Sequence, residues 1–437
     1  MTAITMDEAL NRAGAGTYQR RLMGIFGLVW TADAMQVLAV GFTAASIAAT
    51  FGLTVPQALQ TGTVFFLGML LGAIGFGRLA DRIGRRRVLI VTVACDALFG
   101  TLSIFAPDFT ILLVLRFLTG AAVGGTLPVD YAMMAEFLPA KNRGRWLVLL
   151  EGFWAVGTLI VALAAWAASL AEVADAWRYI FAVTALPAII GIGLRFLVPE
   201  SPLYLMRSGR GDEAKAIVDR MLVVNGHAQL PAGTSLVTPA PVRATGIFSG
   251  ELRQRSLMIL AIWFLVSVSY YGVFTWMPAR LAGDGFGFVR GYGFLVLVAL
   301  AQLPGYALAA YGVEKWGRKP TLIGFCLLSA LGCLLFVMAP FALLIGISLL
   351  VMSFALLGTW GALYAYTPEL YPTTSRATGM GAAGAMARLG GLLAPSLVGY
   401  VVAQGFGLTI GIFAGLLVVA AFAATLINAE TREASLA

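Results

Sequence analysis

Charged residues are scarce in this chain. Asp, Glu, Lys and Arg make up 11% of its 437 residues, where a water-soluble domain carries about a quarter. His227 is the one histidine, and Cys95, Cys326 and Cys333 are the three cysteines. The cysteines stand inside apolar runs with neither metal-type nor disulfide-type spacing, so they read as packing residues. There is no nucleotide-binding loop, no cluster of metal ligands and no nucleophile beside a histidine, which removes the usual supports for an enzyme. No cofactor is implied.

What fills the chain instead is apolar: 60% hydrophobic residues, with 51 glycines spread through the long runs. That is the composition of a chain whose solvent is lipid, where small residues let helices approach closely. Runs of about 20 apolar residues, enough to cross a hydrocarbon core of ~30 Å, fall near 22–50, 57–77, 88–106, 109–137, 146–170, 177–197, 256–280, 291–312, 320–339, 341–367, 377–402 and 406–428. The expected fold class is an all-α membrane protein of twelve spanning helices. Met1 to Arg21 is mostly polar and the first run is too long for a cleaved leader, so the first span is expected to stay in the mature protein. Arg78 to Arg87, Lys141 to Arg145, Lys315 to Lys319 and Arg376 crowd one set of turns, while the opposite loops hold Arg178, Arg280 and Arg290. Basic residues favour the cytoplasmic side, which puts both termini inside. The net charge of +8 is thus a topology signal and gives no support for nucleic acid as a partner.

The long polar segment 198–255 divides the chain into two parts of six spans each, 1–197 and 256–437. It is expected to be a cytoplasmic linker, with a short amphipathic helix from Asp212 to Val224 and turn chemistry in P-A-G-T-S-L-V-T-P-A-P. His227 lies within it and reads as solvated. The two parts look like copies. In G-R-L-A-D-R-I-G-R-R-R, Asp81, Gly84 and Arg85 have counterparts 233 positions later in Glu314, Gly317 and Arg318, within G-V-E-K-W-G-R-K. The same offset carries Glu136 and Arg143 onto Glu369 and Arg376.

Over essentially its full length the chain resembles the major facilitator superfamily. The loop from Gly77 to Arg87 is similar to that family's signature. Arg116-x3-Gly120-x3-Gly124, Pro199-Glu200-Ser201-Pro202 and the two E-x6-R loops resemble its sugar-porter and organic-ion branch. G-G-T-L-P-V followed by L-L-E-G-F-W-A-V-G is similar to the bacterial niacin transporters related to synaptic vesicle protein 2. The resemblance implies two pseudo-symmetric six-helix halves in a bacterial inner membrane, working as a monomer on a small organic anion.

Charges within the spans cost several kcal/mol unless paired or facing water. Asp33 lies about eleven residues, on the order of 16 Å, into the first span. Arg116 lies about seven residues into the fourth, at a broadly similar depth. In proton-coupled sugar porters an Asp and an Arg at matching positions form the proton switch, so the resemblance implies that protonating Asp33 releases Arg116. A permanent ion pair that fixes helix packing is the alternative. Asp130, rotated about 320° from Arg116 on the same helix, is a second proton candidate. Asp96 and Glu151 receive no assigned role. At the cytoplasmic ends, Asp81, Arg85, Glu136, Arg143, Glu314, Arg318, Glu369 and Arg376 can pair with one another and with helix termini. They are expected to act as latches between conformations.

Arg388 carries the most substrate information. It stands near the middle of the eleventh span with no acidic residue in that span, and an unneutralised guanidinium suits an anion held through two parallel hydrogen bonds. The segment resembles the eleventh span of organic anion transporters, whose Arg is implicated in anion binding; pairing of Arg388 with an acid from another helix is the alternative. Tyr270 and Tyr271 resemble the paired tyrosines of those transporters, and Trp360 with Tyr364 fall on the family's aromatic positions. Trp154 sits on the repeat-related helix at similar depth. An aromatic cage with one arginine fits a small flat carboxylate. The expectation is therefore a secondary transporter for an aromatic monocarboxylate such as nicotinate, moved with a proton. A sugar or polyol porter is the alternative, for which Gln302 is a lone amide. A non-transporting ligand sensor on the same fold is the other.

Overall fold

Hydrocarbon offers backbone amides no partners, so a chain this apolar must pair each N–H within its own segment, and the helix does so. The computed structural model describes residues 3–139, 143–231, 233–237, 246–250, 252–283, 292–402 and 406–431. A strand β1 (Ala3–Thr5) is followed by α1 (Met6–Ala13), α2 (Thr17–Phe51), α3 (Val55–Ala58), α4 (Gln60–Ile83), α5 (Arg85–Ile104), α6 (Phe109–Glu136), α7 (Arg143–Leu170) and α8 (Ala176–Arg195). Then come α9 (Pro202–Arg207), α10 (Gly211–Val224) and a strand β2 (Ser235–Val237). The chain ends in α11 (Leu252–Gly283), α12 (Tyr292–Leu300), α13 (Gln302–Lys315), α14 (Arg318–Val337), α15 (Ala342–Tyr366), α16 (Thr373–Val402) and α17 (Phe406–Thr425).

Among the described residues, 11 segments are long and apolar enough to cross a membrane. The 30-residue α16 lies in the place of the remaining expected span. α2 packs on α7 and α8, α4 on α6, and α5 on α6 and α8; α11 packs on α16 and α17, and α14 on α15 and α17. The two groups touch where α4 meets α16, α7 meets α12 and α2 meets α11.

The α4–α6 contact is set by glycine at four positions. A Cβ on Gly68 or Gly72 would stand 2.1 or 2.0 Å from the carbonyl oxygen of Phe117 or Ala121, and one on Gly120 or Gly124 would stand 2.1 Å from that of Phe65 or Met69. The two backbones therefore touch, and nothing flexible lies between them to give way.

The segment joining the two groups is docked. On α10, Ala214, Val218, Met221 and Leu222 are buried, with Ile217 packed beside them, so the expected amphipathic helix is present. The stretch read as turns contains β2, which pairs in parallel with β1, Ala3 opposite Ser235 and Thr5 opposite Val237. The strand forms because the N-terminal residues supply an edge, information that lies more than 200 positions away. Asn225 completes the dock: its Oδ1 accepts from the Tyr18 amide at 2.9 Å, and its Nδ2 donates to Ala13 O and Gln19 Oε1 at 2.9 and 2.8 Å.

Gly120→Leu should lower stability by at least ~3 kcal/mol, since overpacking against backbone cannot relax by rotamer change. Gly75→Leu, on the same helix as Gly72 but with nothing within 4 Å of its Cβ position, should be nearly neutral. Thermal unfolding of the detergent-solubilised variants compares them, and equal melting temperatures would rule out backbone contact as the determinant.

Candidate functional site

A small pocket lies between the two groups of helices. Its wall includes Glu151 and Trp154 from α7, Tyr270 and Tyr271 from α11, Tyr306 from α13, Trp360 and Tyr364 from α15, and Arg388 from α16. Met69, Leu127, Leu357 and Ala387 fill the remainder. All six residues expected to hold substrate, Trp154, Tyr270, Tyr271, Trp360, Tyr364 and Arg388, thus converge on one space. Trp360 and Tyr364 share a face because they are one turn apart on α15, and their rings are 5.9 Å apart. Trp154 Nε1 donates to the Tyr270 hydroxyl at 2.7 Å, across the seam between the groups. The Tyr270 ring lies edge-on to Trp360 at 5.7 Å, and Tyr271 meets Phe66 at 4.6 Å.

Arg388 enters this aromatic wall, which also carries the carboxylate of Glu151. Its Nη1 donates to the Gly384 carbonyl one turn back, at 2.7 Å, and its buried Nε has no partner. Among the described residues it forms no ion pair. Two residues on the wall, Glu151 and Tyr306, were not assigned to it from the sequence. Glu151 is 3% exposed and its Oε1 is unpartnered. Its signal was a carboxylate inside an apolar run, but nothing in its own helix says which way it faces.

The expected Asp33–Arg116 contact is not formed. Arg116 is held by Gln36, Nη1 on the side-chain oxygen and Nη2 on the backbone carbonyl, each at 2.7 Å, with its guanidinium stacked over Phe65 and Phe181 at 4.6 and 4.8 Å. Gln36 offers two oxygens in one place, which satisfies the fork of an arginine. Both carboxylate oxygens of Asp33 are buried without hydrogen-bond partners. Asp130 is also apart from Arg116: it pairs with Arg195, and both side chains are shut away from solvent. Arg195 went unassigned because it closes the sixth apolar run, where an arginine reads as a topology marker.

At the helix ends, Arg85 pairs with Glu136 at 3.0 Å and Arg318 with Glu369 at 2.9 Å. These pairs occupy repeat-related positions. Arg318 also lies 3.7 Å from Glu314, and Arg143 lies 3.7 Å from Asp7 and donates to Leu138 O. The side chains of Asp81 and Arg376 lie outside the described residues. Among the described residues no ion pair joins the first group of helices to the second, so the expected latches staple neighbouring helices inside each group. The reason is local. Each arginine starts the helix adjacent to the one that its glutamate ends, so the nearest opposite charge belongs to the same group. Two further carboxylates cap these helices: Glu200 accepts from the Arg86 amide at 3.2 Å, and Glu430 from the amides of Arg318 and Lys319 at 3.0 and 3.1 Å. Negative charge at a helix N-terminus is favoured by the exposed amides and the dipole.

A bundle of apolar helices folded as two touching groups around an aromatic cavity is the plan of a membrane transporter. The chain belongs to the Major Facilitator Superfamily, whose sequence pattern matches residues 23–395 and 291–436. It is a multi-pass membrane transporter and not an enzyme. It is 37% identical over 424 residues, 95% of each chain, to a protein of Acinetobacter baylyi named niacin transporter NiaP. It is 32% identical over 450 residues to a synaptic vesicle 2-related protein of Xenopus laevis, covering 98% of this chain and 81% of that one. Its fold matches that of the proton:xylose symporter XylE, with a TM-score of 0.75 over 96% of this chain and 98% of that chain; at 20% identity the likeness is one of fold alone.

Asp130→Ala would strand the Arg195 charge in the interior, at a cost of about 3–5 kcal/mol. Adding Arg195→Met removes the stranded charge and should restore much of the lost thermal stability. If the single and double variants melt together, the stranded Arg195 charge is not the source of the loss.

Proposed function

We propose that this transporter imports a small aromatic monocarboxylate, such as nicotinate, together with a proton. Two six-helix halves, 1–197 and 256–437 joined by the cytoplasmic segment 198–255, alternate access to the cavity at Arg388. The observation that carries the reading is the Arg388 guanidinium, which forms no ion pair among the described residues, set in a wall of Trp and Tyr rings. A flat ring stacks between aromatic faces while its carboxylate takes the two parallel N–H donors of the guanidinium. The relative named as a niacin transporter supports that choice of anion. The surrounding membrane is the bacterial inner membrane, with both termini in the cytoplasm, and the working unit is a monomer.

A sugar porter would present amides to hydroxyl groups, and among the described residues none that lines the cavity is an Asn or Gln. Gln302 is buried but stands outside that wall. A ligand sensor on this fold would bind without moving its ligand, and counterflow of labelled nicotinate in liposomes separates the two.

A ligand that binds the folded state raises its apparent stability by mass action. Among nicotinate, benzoate, nicotinamide, quaternary amines and hexoses, the aromatic carboxylates should raise the melting temperature of the purified protein. Arg388→Ala should weaken nicotinate binding by about 10- to 100-fold, the worth of a charge-assisted hydrogen-bond pair, and affect nicotinamide less. Stabilisation by hexoses or quaternary amines in place of carboxylates would overturn the reading.

A further inference from the structure

The cavity holds two opposite charges that do not neutralise each other by contact. Glu151 projects from α7 and Arg388 from α16, both among its lining residues. Glu151 is 3% exposed and has one carboxylate oxygen with no hydrogen-bond partner. Tyr271 and Tyr364 lie in the electrostatic field of both charges. Tyr131, Tyr270 and Tyr306 also lie in that of Glu151. Of the other helices packed against α7, α2 carries the buried Asp33, which lies in the electrostatic field of Arg388, α6 carries the buried Arg116 and Asp130, and α8 carries Arg195; none of these four lines the cavity.

An anion entering this space meets one cation and one carboxylate. With Glu151 charged, the substrate carboxylate would be the second negative group in a site walled by low-dielectric side chains, and repulsion would offset the attraction of Arg388. With a proton from the aqueous phase on Glu151, the site carries the charge of Arg388 alone and binding restores neutrality. Resting on the reading that the substrate is an aromatic monocarboxylate, we propose that Glu151 takes up the transported proton, in the same cavity where Arg388 takes the substrate. Uptake is coupled because the two ligands need each other: the proton lowers the electrostatic cost of the anion, and the anion lowers that of the proton. The proton adds to a carboxylate oxygen of Glu151 as the anion binds and leaves when the anion departs on the other side. Asp33 lies in the electrostatic field of Arg388 but outside the cavity wall, so it is not the carboxylate that the anion meets.

Calorimetric titration of the full-length protein with nicotinate, repeated in buffers of different ionisation enthalpy, counts the protons taken up per anion. The wild type should take up about one at mildly alkaline pH. Glu151→Gln should bind nicotinate with no proton uptake and with an affinity that no longer changes with pH. A Glu151→Gln protein that binds and still takes up a proton overturns the assignment, as does a wild type that binds nicotinate without one. A wild type that does not bind nicotinate or benzoate instead overturns the substrate reading. Infrared difference spectroscopy of the wild type and Glu151→Asp gives a second readout if Glu151→Gln does not fold. Nicotinate should raise a protonated-carboxyl band that shifts in the Asp variant, and an unshifted band places the proton elsewhere.

Discussion

A charge at membrane depth has no water to turn to, so it must find a protein partner or face a cavity. The interior of this transporter divides most of its charged side chains by that rule; Asp33, buried with neither a hydrogen-bond partner among the described residues nor a place on the cavity wall, is an exception. Arg116 rests on the two oxygens of Gln36, and Asp130 is locked to Arg195. These four residues form two units within the first group of helices, and none of them lines the cavity. Arg388 and Glu151 are the ones left facing an opening.

The same division explains what could be read from the sequence. Helix positions and the aromatic positions around Arg388 were legible because apolar runs and i,i+4 spacings are local signals. That Arg388 lacks a partner was inferred from its own span and holds in three dimensions among the described residues. Pairings between spans were not legible. Depth along a helix says that Asp33 and Arg116 lie at similar heights, but not that Gln36, about one turn further along α2, turns its oxygens towards the arginine. Arg195 was hidden by its place at the end of a run, and Glu151 by the absence of any rotational clue on a helix that is apolar on every side.

The cytoplasmic loops add a second case. Their repeat predicted paired acids and arginines at matching positions, and Arg85–Glu136 and Arg318–Glu369 are such pairs. What spacing did not carry was the partition of those pairs inside each group of helices. It also missed the carboxylates of Glu200 and Glu430, which sit beyond α8 and α17 and fold back over the basic starts of α5 and α14.

The glycine-lined contact between α4 and α6 bears on how such a molecule can move. Two helices whose backbones touch along two turns cannot roll or slide past each other without collision, so the pair acts as a single stiff beam. Displacement between the two groups has to be absorbed where side chains intervene, as where Phe66 on α4 lies over Gly391 on α16. There a ring bears on a bare backbone with no interlocking side chain opposite. In mechanical terms the fold contains a beam and a bearing, and Tyr271, packed edge-on against that same Phe66, ties the bearing to the cavity wall.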